Sequence, residues 1–242
     1  MTGLYRIAGK VIEVRSIYSR VHEYCRDYRF DGTPDLTVAV SQEDIGYERE
    51  RERAAALLEG RQPYIPAEDS LEELAVYRKI AEGMLEYDTF LFHGSCVAVN
   101  GEGYLFTASS GTGKSTHTAL WRKLLGDRAV MVNDDKPLIR ADGSGVTVFG
   151  TPYNGKHRLG ADIAVPLKAV CLLERAPENT IVPVTRDEAY VRLVQQTYRP
   201  AEPVLMMKTM KLIDRLADGV KLYRLGCNMD IEAAAVAYEG MK

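Results

Sequence analysis

The sequence predicts an α/β fold, a P-loop-containing mixed β-sheet flanked by helices with a small N-terminal α+β region, and three observations carry that expectation. The first is Phe106-Thr107-Ala108-Ser109-Ser110-Gly111-Thr112-Gly113-Lys114-Ser115-Thr116, which has the parts of a phosphate cradle. The second is the texture after Phe90, where short apolar runs split by glycine turns give way to helical patterns. The third is Val97-Ala98-Val99-Asn100-Gly101-Glu102-Gly103-Tyr104, which reads as a hairpin just before the cradle and makes the sheet mixed.

Taken in order, residues 4–16 and 36–40 have β-type composition and are separated by a polar, aromatic segment that closes on the turn residues Asp31-Gly32-Thr33-Pro34-Asp35. Glu48-Arg49-Glu50-Arg51-Glu52-Arg53 alternates in charge, which on a helix places opposite charges at i,i+3 and describes a solvated face. Being neutral overall, the run does not make a nucleic-acid arm. After the break at Pro63 to Pro66, Ser70 is expected to cap a helix with Leu71, Leu74, Tyr77, Ala81 and Met84 on its core side. Strands are expected near 90–92, 96–99, 103–107, 129–132, 146–149, 169–173 and 181–184. A helix follows the cradle to Leu125, two more lie near 186–197 and 203–217, and a strand near 221–225 precedes a last helix from Asp230. The expected division is an N-terminal α+β region over 1–88, packed on a P-loop kinase-like domain over 89–242.

With 242 residues and 46% hydrophobic content, the chain can bury a full core without disulfides or structural metal. Acidic and basic residues are interspersed at a net charge of −3, so no broad cationic face invites nucleic acid, and any anion site is local. Cys25, Cys96, Cys171 and Cys227 are far apart and form no C-x-x-C pair, which points to reduced thiols. Neither a basic-then-apolar leader nor a run of membrane-spanning length is present, so the expectation is a cytoplasmic protein without a membrane partner; a homo-oligomer stays open.

In the cradle, Gly111 and Gly113 let successive backbone N–H groups point inward, with Ser110, Thr112 and Thr116 completing the wall. The Lys114 ammonium can reach β/γ-phosphates and the Ser115 hydroxyl can ligate Mg²⁺. Ala108 stands where the G-x-x-x-x-G-K-[ST] pattern opens on glycine, so the loop must enter with a negative φ there or in a slightly different form. The expected ligand is ATP or another nucleoside triphosphate, with Mg²⁺. Phosphoryl transfer to an alcohol also needs a metal-binding carboxylate, a base for the hydroxyl and positive charge for the transferred oxygens. Ala129-Val130-Met131-Val132 followed by Asn133-Asp134-Asp135 is an apolar strand that ends in two carboxylates pointing to opposite faces; the other reading is a surface turn.

His93 follows an apolar run and is either catalytic or a hydrogen-bonded structural residue, and His117, in the first turn after the cradle, touches a phosphate or is a solvated helix residue. His22 has no partner in view. The loop Gly150-Thr151-Pro152-Tyr153-Asn154-Gly155-Lys156-His157-Arg158-Leu159-Gly160 suits a flap that carries Lys156 and Arg158 toward an anionic group, or is a plain cationic surface loop. Arg199 either serves the same end or sits as a charge at a helix C-terminus.

His93-Gly94, the Ser110-Gly111-Thr112-Gly113-Lys114-Ser115 cradle and Asp134-Asp135 together resemble the HPr kinase/phosphorylase and phosphoenolpyruvate carboxykinase-like group of P-loop proteins. The resemblance is specific over 90–135 and looser to about 160. It implies that His93 orients the acid, that Asp135 is the base toward an acceptor hydroxyl and that Asp134 is the metal-side carboxylate. More narrowly, Phe92-His93-Gly94-Ser95, Gly113-Lys114-Ser115-Thr116-His117-Thr118-Ala119-Leu120-Trp121 and Gly150-Thr151-Pro152 look like HPr-kinase-related proteins of undefined substrate. The cradle departs from those kinases in opening on Ala108-Ser109 rather than Gly-Asp, and their downstream catalytic glutamate has no clear counterpart. The leading expectation is therefore a Mg²⁺-dependent kinase acting on a hydroxyl of a peptide, a protein serine or a small metabolite. The competing ones are a carboxykinase-like enzyme and a non-catalytic nucleotide-binding sensor.

Overall fold

Ala8 and Gly9 both have positive φ, 50° and 75°, and break the first β run into a hairpin. Its strands β1 (Thr2–Ile7) and β2 (Lys10–Arg15) pair antiparallel from Thr2 opposite Arg15 to Ile7 opposite Lys10. The computed structural model describes every residue except Glu59 and divides into two compact units, Met1–Gly83 and Met84–Lys242.

In the first unit, a short helix α1 (Arg20–Tyr24) precedes β3 (Leu36–Ala39), which joins β2 in parallel to complete a three-stranded sheet. Two long helices follow, α2 (Gln42–Leu58) and α3 (Glu68–Met84). The charge-alternating stretch of α2 is not wholly solvated: Glu48 is 2% exposed and accepts from Arg78 Nε of α3 at 2.5 Å and from Arg51 at 3.1 Å. Helix α3 starts upstream of Ser70, which lies in its first turn rather than capping it, and buries Leu71, Ala75, Val76, Tyr77 and Ile80. His22 does have partners, Tyr5 Oη at 2.6 Å and Ser16 Oγ at 2.8 Å.

The second unit is built on a curled mixed sheet flanked by helices. Its strands and helices run β4 (Thr89–Leu91), β5 (Ser95–Val99), β6 (Glu102–Thr107), α4 (Lys114–Leu125), β7 (Ala129–Asn133), β8 (Leu138–Asp142) and β9 (Gly145–Phe149), then β10 (Ala164–Arg175), β11 (Thr180–Pro183), α5 (Arg186–Gln196), α6 (Pro203–Gly219), β12 (Lys221–Cys227) and α7 (Ile231–Met241). The expected hairpin is β5–β6, turned by Asn100 and Gly101 with φ of 53° and 80°. Strand order is β4-β8-β9-β10-β6-β5-β7, with β12 also on β10 and β11 on β12. The long strand β10 has two roles. Ala164–Pro166 pairs antiparallel with β9; from Leu167, with an irregularity between Leu167 and Ala169, the strand runs parallel to β6, and from Ala169 also to β12.

Alternation along the central strands sends side chains to two apolar layers. Leu105, Val170 and Leu172 meet Leu193 of α5 and Leu212, Ile213 and Leu216 of α6 on one face. Tyr104, Phe106, Cys171 and Leu173 meet Trp121 of α4 and Ala234 and Met241 of α7 on the other. The four cysteines are free thiols. Among the described residues, no helix is long and apolar enough to cross a membrane.

Candidate active site

Strands β6 and β7 both run antiparallel to β5, so both end at the edge where β5 begins. Sheet pairing alone therefore gathers His93 ahead of β5, the Ala108–Gly113 loop after β6 and Asp134-Asp135 after β7. Together with Gly155, Lys156 and His157 they line one cleft of about 540 Å³. The cleft is also walled by Ser110, Gly111, Gly113, Lys114, Ser115 and Thr116.

The loop turns on Gly111 and Gly113, with φ of 75° and 123°, while Ala108 is not among the positive-φ residues and enters with an ordinary backbone. Gly113 is the N-cap of α4, whose first-turn N–H groups lack intrahelical acceptors and carry the positive end of the helix dipole. Lys114 is 9% exposed and its Nζ donates back to Ala108 O at 3.1 Å. Burial pulls its pKa below the usual lysine value, and Asp135 and Asp134 pull it back up.

The two aspartates are held differently. Asp134 Oδ1 accepts from Ser95 Oγ at 2.6 Å, and Ser95 Oγ in turn lies 2.9 Å from Thr118 Oγ1 of α4. Asp135 Oδ1 lies 3.5 Å from His93 Nε2 and Asp135 Oδ2 lies 3.9 Å from Lys136 Nζ. The His93 pKa is lowered, first by burial and then by the Lys114 charge, against an opposing pull from Asp135. The ring is thus neutral near pH 7, and its contact with Asp135 orients rather than forming a full ion pair.

Asn133 ties this corner together. Its Oδ1 accepts from the backbone N–H groups of Asp135 at 2.9 Å and Lys136 at 2.8 Å, and its Nδ2 donates to Thr151 Oγ1 at 2.9 Å. The turn that presents the carboxylates and the start of the 150–160 loop are joined through one buried amide. That loop approaches closely: a Cβ on Gly155, which has φ of 74°, would lie 3.2 Å from Asp135 Cβ.

Of the residues singled out from sequence, His93, Lys114, Asp134, Asp135, Ser110, Gly111, Gly113, Ser115, Thr116 and Lys156 line the cleft, and Thr112 lies in the same loop. Arg158 and Arg199 are not in its lining; Arg199 Nη1 donates to Val194 O at 2.8 Å, closing the last turn of α5. His117 is neither solvated nor in this cleft: it is 2% exposed, packs edge-on against Phe106 and accepts from Trp121 Nε1 at 3.1 Å. Sequence reasoning gave no role to Ser95, Asn133, Arg175 or Arg192. Arg175 Nη2 donates to Gly111 O at 2.6 Å and Arg192 Nη1 to Ser109 Oγ at 2.8 Å, bracing the loop from β10 and α5. Arg175 closes β10 and Arg192 lies within α5, and neither position carries a local signal of these contacts.

The family model described as "ScmC: SynChlorMet cassette protein ScmC" matches residues 70–214. No curated protein matches the chain. Among solved structures, the HPr(Ser) kinase/phosphatase from Coxiella burnetii aligns at 11% identity over 52% of this chain and 90% of its own, with a TM-score of 0.29.

Proposed function

The chain belongs to the ScmC family of SynChlorMet cassette proteins, and from that premise we propose that it is an ATP- and Mg²⁺-dependent phosphotransferase whose acceptor is a hydroxyl group. The observation that carries the reading is the convergence of Lys114, Asp134, Asp135 and His93 on the cleft that the glycine loop and the α4 N-terminus also line. A loop of inward N–H groups, a lysine and a helix N-terminus favour bound polyphosphate. The carboxylates next to it are what a sensor would not need, and they favour catalysis over simple binding.

Mg²⁺ when bound neutralises charge on the β/γ oxygens, and Ser115 Oγ with the Asp134 carboxylate would hold it. Among the described residues no three His, Cys, Asp or Glu side chains converge as a metal cage. One hydroxyl and one carboxylate is a donor set suited to Mg²⁺, which keeps waters and phosphate oxygens as its other ligands. Asp135 takes the proton of the acceptor hydroxyl as the new O–P bond forms and the bond between the γ-phosphorus and the β–γ bridging oxygen breaks, leaving ADP and the phosphate ester. His93 holds the Asp135 carboxylate in position, and Lys114 turns from Ala108 O toward the phosphates. Lys156 brings the flap's positive charge to the cleft.

The test is transfer of label from γ-labelled ATP with Mg²⁺ to a panel of hydroxyl-bearing peptides and metabolites. Asp135→Asn is expected to lower transfer by about a hundredfold or more while retaining ATP binding, and Lys114→Ala to weaken both. Transfer unchanged in Asp135→Asn, or no ATP binding by the wild type, would sink the reading.

A further inference from the structure

Three cations from three elements sit on the glycine loop: Lys114 of α4 on Ala108 O at 3.1 Å, Arg192 of α5 on Ser109 Oγ at 2.8 Å and Arg175 of β10 on Gly111 O at 2.6 Å. Their duties differ. In the proposed reaction Lys114 leaves Ala108 O for the phosphates, and Arg192 grips a side chain that can rotate without moving the backbone. Arg175 is the one of the three that stays on main-chain carbonyls, with Nη2 on Gly111 O and Nε 3.4 Å from Thr112 O. We propose that Arg175 is a positioning residue that sets the peptide planes of the loop for phosphate before the ligand arrives. The role rests on the phosphotransferase reading and adds a residue to it.

Sheet register puts the arginine in place. Strand β10 runs parallel to β6, and Leu172 stands opposite Thr107, the last residue of β6, so Leu173, Glu174 and Arg175 continue beside the chain as it leaves the sheet. Strand β12 backs this overhang: Arg175 lies opposite Cys227, and Ala176 N–H donates to Cys227 O at 3.0 Å. The guanidinium therefore projects from a paired strand end rather than from the cradle itself.

In a trans peptide the C=O and N–H point in opposite directions. The Gly111–Thr112 unit is gripped on both sides, its carbonyl by Arg175 and its N–H by Ser109 O at 3.2 Å. The Thr112–Gly113 unit turns its carbonyl toward the guanidinium, so Gly113 N–H faces the other way, among the free donors at the head of α4. Gly111 and Gly113 both have positive φ and a permissive backbone. A planar fork on the carbonyls between them restricts that freedom in advance, and such preorganisation lowers the cost of binding.

The experiment compares the full chain with Arg175→Gln and Arg175→Lys; the side chain is exposed, so both are expected to unfold within about 2 °C of wild type. In ligand-free Arg175→Gln, amide hydrogen exchange over 106–116 is expected to quicken about tenfold, with the sheet unchanged. Calorimetry is expected to give a Kd for Mg²⁺-ATP raised about tenfold, as loss of a hydrogen bond to a charged group implies. Arg175→Lys is expected to fall between the two, because an ammonium keeps the charge and loses the fork. Millimolar guanidinium chloride is expected to restore part of the Arg175→Gln affinity, and sodium chloride at equal concentration none. Turnover at saturating ATP, on the acceptor that the labelled panel yields, is expected to stay within about threefold of wild type. Loop exchange unchanged in the free protein would overturn the role even if ATP were weakened, because the arginine would then act on bound phosphate. Exchange quickened equally across the sheet, an unchanged Kd, or a fall in saturated turnover with the Kd kept would overturn it too. No ATP binding by wild type would instead end the phosphotransferase reading, while exchange measured without ligand would still decide whether Arg175 shapes the loop.

Discussion

Asn133 does more for the site's shape than either carboxylate it precedes. Its amide satisfies two backbone donors of the acidic turn and bonds Thr151 across the corner, with no exposure to water. Replacing it strands several buried polar groups together, each costing about 1–3 kcal/mol. Asn133→Ala is therefore expected to lower stability by about 3 kcal/mol in urea unfolding and to reduce transfer even at saturating ATP. His117 gives a second residue-level expectation, this time in pH. Its pKa is lowered from 6.5 to about 4, so the unfolded chain binds the proton more readily and stability falls as pH drops through that window. The stabilisation is complete above about pH 6.5, and about 3 kcal/mol is lost by pH 4. His117→Gln, which can still accept from Trp121, is expected to flatten this part of the pH profile relative to wild type in urea midpoints. An identical acid slope in the variant would assign the loss to other groups.

At the scale of elements, the strand–loop–helix unit β6–α4 is the most legible piece of the chain, because its glycines and lysine sit between an apolar run and a helical stripe. Gly113 has φ of 123°, a conformation L side chains rarely adopt, although a Cβ there would meet nothing closer than Thr116 at 3.9 Å. Gly113→Ala is thus a test of backbone strain without steric conflict: it is expected to cost about 1–3 kcal/mol and to impair ATP binding measured by calorimetry. Less legible elements have physical reasons. Leu138-Ile139-Arg140-Ala141-Asp142 alternates too weakly to announce β8, yet pairing on both sides by β4 and β9 makes it a strand. The split of the N-terminal run at Ala8-Gly9 rests on a positive φ in an alanine, which no composition rule flags. Glu48 reads as one more charge in a solvated series until Arg78, far along the chain, buries it.

For the molecule as a whole, the mixed sheet and its two helical layers follow from patterns of period two and 3.6, whereas the cleft's bracing does not. Ser95, Arg175 and Arg192 act through contacts with residues distant in sequence, and such pairings leave no local mark. Every side chain lining the cleft belongs to the Met84–Lys242 unit. Residues 84–242 produced alone are expected to fold, shown by a cooperative thermal transition, and to bind Mg²⁺-ATP with the affinity of the full chain; loss of both would make the first unit part of the folding nucleus. The double duty of β10 bears on motion. One uninterrupted twelve-residue strand is shared by the antiparallel β9 side and the parallel β6 and β12 side. It acts as a keel: the two parts of the sheet cannot hinge apart without shearing its ladders. Any adjustment around an occupant of the cleft then falls to the peripheral loops, over a scaffold held in one piece by that strand.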